Sequence, residues 1–332
     1  MTTVSRVLGN RSKMHLCCGT SWSLSLVSSL AIVGAFASVL PASAGAMRAL
    51  DTARIEQLTG AKGTLDTKEG VFKVSVPRTD LSIAVAGTRL SPAIGLTSWA
   101  AFMPSGHSTM VMGDMVLSEN QVNPVIDAAL GHGLEVTALH NHFLWDQPRV
   151  MFMHIGGHGD ESTLATAVGK VFAKIKETAA VDPGPPAAGP EVGGTGPDPA
   201  KLDAIFGQHG TLAAGVYKVV VGRATTMNGM KVGNAMGVNT WAAFAGSADK
   251  AVVDGDFAML ETELQGVLKA LRAAGINIVA IHQHMGGEQP RILFLHFWGV
   301  GRAEDLAKGL RAALDRTASM QNRRDATAPG GR

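Results

Sequence analysis

The chain repeats itself, and this duplication constrains its fold more than any other feature. Residues 51–60 match residues 198–207 at an offset of 147, and Gly63-Thr64-Leu65 then matches Gly210-Thr211-Leu212. From residue 98 the offset settles at 142 and holds without a gap through two histidine-rich motifs. Two copies are too few for a solenoid, so the pattern predicts a pair of similar, pseudo-symmetric domains.

Each copy carries the pattern of an α+β fold. Ser118 and Gln121 can form a capping box at the start of a helix. We predict helices over 52–58, 119–130 and 161–174, with matching helices over 261–273 and 303–314 in the second copy. Strands are predicted over 71–76, 83–86, 98–103, 109–117, 134–142 and 149–154, bounded by Gly, Pro and Ser. This order predicts two repeats, each a mainly antiparallel sheet with helices packed on one face.

The N-terminus has the pattern of an export signal. Three basic residues precede an apolar run over residues 24–40, and small residues follow it up to Ala44. The pattern predicts a signal peptide over residues 1–44, cleaved after Ala44, and a secreted protein with no membrane span in the mature chain. The alternative is an uncleaved signal anchor, because about 17 apolar residues are marginal for a membrane span.

Composition divides the remainder into four segments. We predict the first repeat over residues 45–181, a linker rich in Pro and Gly over 182–200, the second repeat over 201–316 and a flexible tail over 317–332. The linker prediction rests on the density of Pro and Gly, which disfavours both helix and sheet.

Charge and cysteine content exclude several classes of function. Without residues 1–44 the chain has 26 basic and 27 acidic residues, which argues against a protein whose main partner is nucleic acid. Both cysteines, Cys17 and Cys18, precede the apolar run and would leave with the signal. A metal site in the mature chain must therefore use histidines and carboxylates rather than thiolates.

Histidine is concentrated in two matching motifs. Residues 140–154 and 282–296 are identical at seven of fifteen positions, and Asp146 in the first matches Glu288 in the second. Each motif contains a His-x-His pair, an acid four residues after the second histidine, and a final histidine on the returning strand. The matched residues are His140, His142, Asp146 and His154 in the first copy and His282, His284, Glu288 and His296 in the second.

Strand geometry gives these motifs a meaning. Alternate residues of a strand share a face, about 6.5–7 Å apart, so two imidazoles can converge on one ion. If a turn is centred near Glu288, residue 282 faces 294 and residue 280 faces 296, which puts the third histidine diagonal to the first. The acid could act as a fourth ligand or as a base. The motifs therefore predict a divalent transition metal, zinc first, with copper, iron or manganese as alternatives.

Other matched residues leave alternatives open. The histidines could instead hydrogen-bond a polar face of the sheet. Asp114 and Asp256 follow a glycine in both copies and fit a general base, a carboxylate that orients a metal ligand, or a structural turn. Arg149 and Arg291 could clamp an anionic substrate or stabilise their turn. The matched residues Trp99 and Trp241 are most simply core aromatics.

The two motifs, with Gln-Pro-Arg between their histidines, resemble the LppY/LpqO family of bacterial secreted proteins and lipoproteins, a domain of unknown function. The resemblance covers residues 50–315 and implies a protein of the cell envelope or outside it. It implies no established reaction and no catalytic residue. This chain departs from the lipoprotein members because no cysteine stands at the predicted cleavage point.

Three functions fit the sequence. The first is a secreted metal-dependent enzyme, a hydrolase or oxygenase, acting on a small-molecule or envelope-derived ligand, with Glu288 or Asp146 as ligand or base. The second is a non-catalytic carrier of metal in the envelope. The third is a metal-free module that binds a ligand on its duplicated sheets.

Overall fold

The computed structural model describes residues 48–181 and 196–317. The predicted signal peptide, both cysteines and nearly all of the predicted linker and tail lie outside the described residues. No helix in these two ranges is long and apolar enough to cross a membrane.

The first repeat places its six main strands in one sheet. Its elements in chain order are α1 (Thr52–Thr59), β1 (Gly63–Asp66), β2 (Val71–Pro77), β3 (Ala84–Val85), β4 (Thr88–Arg89), β5 (Thr97–Ser105), β6 (Ser108–Ser118), α2 (Val122–Gly131), β7 (Glu135–Asn141), β8 (Asp146–Gln147), β9 (Val150–Gly159) and α3 (Glu161–Val181). The order across the sheet is β1-β2-β5-β6-β9-β7, and all neighbours are antiparallel.

The second repeat has the same plan. Its elements are α4 (Pro199–Phe206), β10 (Thr211–Ala213), β11 (Val216–Gly222), β12 (Thr225–Met227), β13 (Met230–Val232), β14 (Asn239–Gly246), β15 (Ala251–Leu260), α5 (Leu264–Ala273), β16 (Asn277–His282), β17 (Ile292–Gly301) and α6 (Ala303–Leu314). The sheet order, β10-β11-β14-β15-β17-β16, repeats that of the first sheet. The prediction of two pseudo-symmetric repeats with mainly antiparallel sheets is confirmed.

The helices of each repeat pack on one face of its sheet, as predicted. Val111 and Met115 of β6 belong to the same buried cluster as Val125 of α2 and Val168 of α3. Val253 and Phe257 of β15 pack in the same way with α5 and α6. Because side chains alternate along a strand, these residues account for only one face of each sheet.

The other faces of the two sheets pack against each other. Phe143 and Phe152 of the first repeat share a buried cluster with Val252 and Trp298 of the second. A second cluster joins methionines of β5 and β6 to residues of the second repeat that include Ile292 and Phe294. Strands β6 and β15 are consequently buried along nearly their whole length. The layers run helix, sheet, sheet, helix, an arrangement in which every apolar face is covered.

Element ends differ from the predictions by a few residues. The Gln121 side chain accepts a hydrogen bond from the Ser118 backbone N–H (3.0 Å), as a capping box requires, but residues 119–121 form a 3₁₀ turn and α2 begins at Val122. Helix α3 continues to Val181, past the predicted end at Lys174. Helix α4 begins at Pro199, inside the predicted linker, where Asp198 accepts from the Ala200 N–H (3.0 Å).

Candidate metal centre

A row of polar side chains crosses the inner face of each sheet, the face turned toward the other repeat. Strand register puts Trp99 opposite Asp114, and Asp114 opposite His154. The second repeat has the same row, formed by Trp241, Asp256 and His296. Neighbouring strands lie about 4.8 Å apart, so each row brings an indole, a carboxylate and an imidazole side by side.

The predicted pairing across the histidine hairpins is confirmed, whereas the second histidines, His142 and His284, lie beyond the ends of β7 and β16. His282 lies opposite Phe294, and Ala280 lies opposite His296. The first repeat has the same register, with His140 opposite Phe152. The first and last histidines of each motif therefore share the inner face, on adjacent strands.

The structure brings all six motif histidines into one cluster between the sheets. The rings of His140 and His282 lie 3.8 Å apart between centroids, and these residues occupy the same position in the two repeats. Other contacts come in matched pairs across the same point: His142–His296 at 3.7 Å with His284–His154 at 4.0 Å, and His140–His154 at 5.0 Å with His282–His296 at 4.6 Å. The two motifs thus form a single centre rather than two separate ones.

Three groups of side chains in this cluster could hold a metal ion. In each group one ligand atom per residue lies within 4.8 Å of the others. The groups are His140 with His282 and His296, His154 with His282 and His284, and Asp114 with His140 and His154. Each of the first two groups takes ligand atoms from both repeats.

Backbone carbonyls orient two of these histidines in matched fashion. Nδ1 of His154 lies 3.3 Å from the carbonyl oxygen of Gly113, and Nδ1 of His296 lies 3.2 Å from that of Gly255. If each Nδ1 carries the proton and donates it, each Nε2 keeps a free lone pair. Both Nε2 atoms are buried without a hydrogen-bond partner among the described residues. This is the arrangement in which proteins hold a metal-binding histidine.

Close packing explains the glycine before each of the two acids. A Cβ on Gly255 would come 2.3 Å from the backbone oxygen of Trp241, and one on Gly113 would come 2.6 Å from that of Trp99. Neither position has room for a side chain. The Gly-Asp pair therefore lets the adjacent strand approach closely while the acid points inward.

Burial favours the neutral form of five histidines of the cluster, namely His140, His154, His282, His284 and His296. It lowers the pKa of His140 to about 3 because the charged imidazole loses its hydration. For the same reason the pKa lies below its usual range in His282 and well below it in His154, His284 and His296. Neutral imidazole is the form that binds metal ions.

Three buried carboxylates accompany the histidines. Asp256 lies 3.1 Å from Nε2 of His284 and accepts the Leu295 backbone N–H (3.0 Å), and Asp254 lies 3.3 Å from Nδ1 of His142. Burial raises the pKa of Asp114 to about 7 and also raises that of Asp254 and Asp256. The structural-turn reading of Asp114 and Asp256 is wrong, since both lie within strands.

Asp254 was missed by the sequence reasoning. It occupies the position of Met112 in the first repeat, so the duplication gives no signal for it. Only the packing of the two sheets brings it to His142, a residue of the other repeat.

The acids of the two hairpins lie elsewhere. Oδ2 of Asp146 accepts the backbone N–H of Val150 (2.8 Å), and Oε1 of Glu288 accepts that of Ile292 (3.1 Å). Each carboxylate thus bridges its own turn. Among the described residues, neither belongs to the three groups that could hold a metal.

A cavity of about 280 Å³ opens beside the cluster, between the inner faces of the sheets. Its wall contains two lysines, two tryptophans, two acids and three histidines of the cluster: Lys73, Lys218, Trp99, Trp241, Asp114, Asp256, His142, His284 and His296. The tryptophans pack against the core between the sheets but stay partly exposed, so they are not simply core residues. Arg149 and Arg291 are exposed and do not line this cavity.

Comparison with known protein families supports the duplication and assigns no role to the histidine cluster. A family model described as Domain of Unknown Function (DUF1259) matches residues 53–174 and again residues 200–316. No curated protein shows a significant match to the chain.

Two solved structures share a weak likeness with the chain. The trimeric bacterial microcompartment shell protein PduB is 10% identical over 78% of this chain and 92% of its own, with a TM-score of 0.21. EtuB from Clostridium kluyveri is 10% identical over 80% of this chain and 93% of its own, with a TM-score of 0.20. At such TM-scores neither likeness carries an inference about this protein.

Proposed function

The chain belongs to the family described as Domain of Unknown Function (DUF1259), whose model it matches twice, and we propose that its two domains together bind a divalent transition metal. The proposed ligands come from the six motif histidines, of which all but His142 belong to the three candidate groups, with Asp114 as an oxygen ligand. Zinc is the first choice for imidazole and carboxylate, and copper, iron and manganese are alternatives. The resemblance to the LppY/LpqO family and the export-signal pattern support a protein that works outside the cytoplasm.

One observation carries this proposal. The matched contacts of His154 with Gly113 and of His296 with Gly255 leave two buried Nε2 atoms with no partner among the described residues, inside one cluster. A buried polar atom without a partner costs about 1–3 kcal/mol. If these histidines served only to form hydrogen bonds within the sheet, this unfavourable contribution to stability would be uncompensated in both repeats. Metal ions bound in the candidate groups that contain His154 or His296 would offset it.

The carboxylates then divide by role. Asp256 lies within reach of His284 and Asp254 within reach of His142, so these two acids orient ligands. Asp146 and Glu288 hold the turns from which the second histidine of each motif projects. We assign them a positioning role, because each already accepts a backbone N–H of its turn.

The cavity favours a metal-dependent enzyme over a carrier. A carrier encloses its ion, whereas this cavity reaches His142, His284 and His296 from outside the cluster. A metal bound there would polarise a substrate oxygen or lower the pKa of a bound water, which suits a hydrolase or an oxygenase. Asp256, the carboxyl group on the cavity wall that is not assigned as a ligand, could accept a proton beside it.

Elemental analysis of protein purified without a histidine tag tests the proposal. We expect bound zinc, copper, iron or manganese, removable by a chelator and restored by titration with the same ion. A stoichiometry near zero, with no uptake of any of the four ions, would contradict metal binding and leave the metal-free binding module. If metal binds, a water on the ion that exchanges with small anions supports the enzyme, and closed coordination supports the carrier.

A further inference from the structure

Two lysines occupy the same position on the inner faces of the two sheets. Lys73 of β2 lies opposite Ala101 of β5, and Lys218 of β11 lies opposite Ala243 of β14. Their neighbours Val74 and Val219 point to the other face, into the cores formed with the helices. Alternation along the strand therefore directs both lysines toward the space between the sheets.

Each ammonium group lies over an indole ring. Nζ of Lys73 is 3.6 Å from the ring centroid of Trp99, and Nζ of Lys218 is 4.2 Å from that of Trp241. Cation–π attraction stabilises each of these contacts by about 0.5–2 kcal/mol, depending on exposure, and so restrains both side chains. The two charges are therefore held in place on the wall of the cavity.

Neither lysine forms a direct ion pair among the described residues; Asp114 acts on Lys73, and Asp254 on Lys218, only from a longer distance. Among the described residues no carboxylate lies within 4.0 Å of Nζ of either lysine. Burial and the charge of Lys218 lower the pKa of Lys73 to about 8, against the opposing effect of Asp114. The two ammonium groups repel each other in this cavity, and an anion that binds between them would offset that repulsion.

We propose that this cavity binds a small organic oxyanion, with its carboxylate or phosphate at Lys73 and Lys218 and its apolar part against Trp99 and Trp241. This ligand class is that of the substrate of the proposed metal centre, and the inference rests on the proposed function for the role of the histidines that line the cavity. At about 280 Å³ the cavity lies at the lower end of ligand pockets, which run from about 300 to 1,000 Å³, so the ligand is small.

The position of the lysines sets the orientation of this ligand. Lys73 and Lys218 attract an anionic group, whereas the buried acids Asp114 and Asp256 beside the histidines do not. The anionic end therefore lies at the lysines, and the uncharged end reaches the histidine cluster. That end would carry the bond on which a metal-dependent enzyme acts.

Calorimetric titration of the protein with benzoate, phenyl phosphate and neutral benzamide tests the inference. We expect saturable binding of at least one of the two anions at one per chain, and binding of benzamide at least about 10-fold weaker. Lys73→Gln and Lys218→Gln should each weaken anion binding about 10-fold, as loss of a charge-assisted contact does. Lys218→Arg keeps the charge and should retain most of the affinity.

Lys62→Gln is the matched control, because Lys62 is 91% exposed and outside the cavity, and it should bind as the parent does. Thermal unfolding of each variant shows whether it folds. Saturable binding of neither anion, or equal affinity in the folded Lys73→Gln/Lys218→Gln double variant, would overturn the inference. Titrations run with and without chelator separate the two proposals: anion binding to protein that takes up no metal contradicts only the metal centre, and metal without anion binding contradicts only this inference.

Discussion

His140 and His282 occupy the same position in the two repeats, and their imidazole rings lie face to face with centroids 3.8 Å apart. The pseudo-twofold relation between the repeats therefore passes through the histidine cluster. The hydroxyl of Thr137 donates to the carbonyl oxygen of His284 (2.7 Å), which joins the two hairpins beside the same point. The proposed centre draws on both repeats, because two of the three candidate groups take ligand atoms from each of them.

Asp256 should tune metal affinity without being required for it. Asp256→Asn replaces the carboxyl group 3.1 Å from Nε2 of His284, which we propose orients that ring. We expect metal affinity to fall about 10–100-fold while the stoichiometry is unchanged. Competition with a chromophoric chelator measures both quantities. Asp249→Asn, at a side chain that is 80% exposed, is the control, and an equal effect of the two variants would contradict the assignment.

Gly255 should tolerate no side chain. In Gly255→Ala the new Cβ would meet the backbone oxygen of Trp241 at 2.3 Å, so β14 or β15 must move. Overpacking of this kind costs about 1–3 kcal/mol of unfolding free energy. Urea denaturation provides the measurement. Gly159→Ala serves as the control, because a Cβ there meets nothing within 4 Å; equal stability of both variants would show that the strands adjust freely.

The packing of Phe143 should hold the repeats together. Phe143 is fully buried between the sheets, and its ring lies 5.8 Å from that of Trp298, a residue of the other repeat. Phe143→Ala should cost about 3–5 kcal/mol of unfolding free energy. Trp145→Ala, two residues away and 59% exposed, should change it by no more than about 0.5 kcal/mol. Calorimetry should show one unfolding transition, and two separate transitions would mean that the repeats fold independently.

Asp203 should make stability depend on acid pH. Its carboxylate accepts hydrogen bonds from the Gly210 N–H, the His209 ring and the Tyr217 hydroxyl, and these lower its pKa from 3.8 to about 2. Since the folded protein holds the ionised form more tightly than the unfolded chain, this stabilisation is complete above about pH 4. It is lost as the pH falls toward 2.

Asp203→Asn should remove that dependence. The difference in urea midpoint between the parent and Asp203→Asn should therefore be largest near pH 5 and shrink toward pH 2. A difference that stays constant over this range would mean that the ionised carboxylate contributes nothing through its charge.

Much of the hairpin geometry could be predicted from the sequence. Residues two apart in a strand share a face, and a turn centred near Glu288 determines which residues lie opposite each other. The pairing of His282 with Phe294 follows from these two rules alone. Duplication then gave the same pairing for His140 and Phe152.

The meeting of the two hairpins could not be predicted in the same way. An apolar strand pattern shows that a face is buried but leaves open what covers it. Asp254 shows this limit: it reaches His142 across the interface between the repeats and has no counterpart in the first copy. The inward position of Lys73 and Lys218 could have been predicted from the sequence, because a lysine within an apolar strand recurs in both copies.

The metal content of two single variants tests most directly whether the two repeats share one metal centre. His140→Ala and His282→Ala each remove one ligand, from the first and the second repeat respectively, and His209→Ala, at a ring that is 95% exposed, is the control. Elemental analysis of the three proteins without tags should show that each of the first two loses well over half of the bound metal and that the control loses none. If His140→Ala and His282→Ala each retained half, the repeats would bind metal at separate sites, and the shared centre would be contradicted.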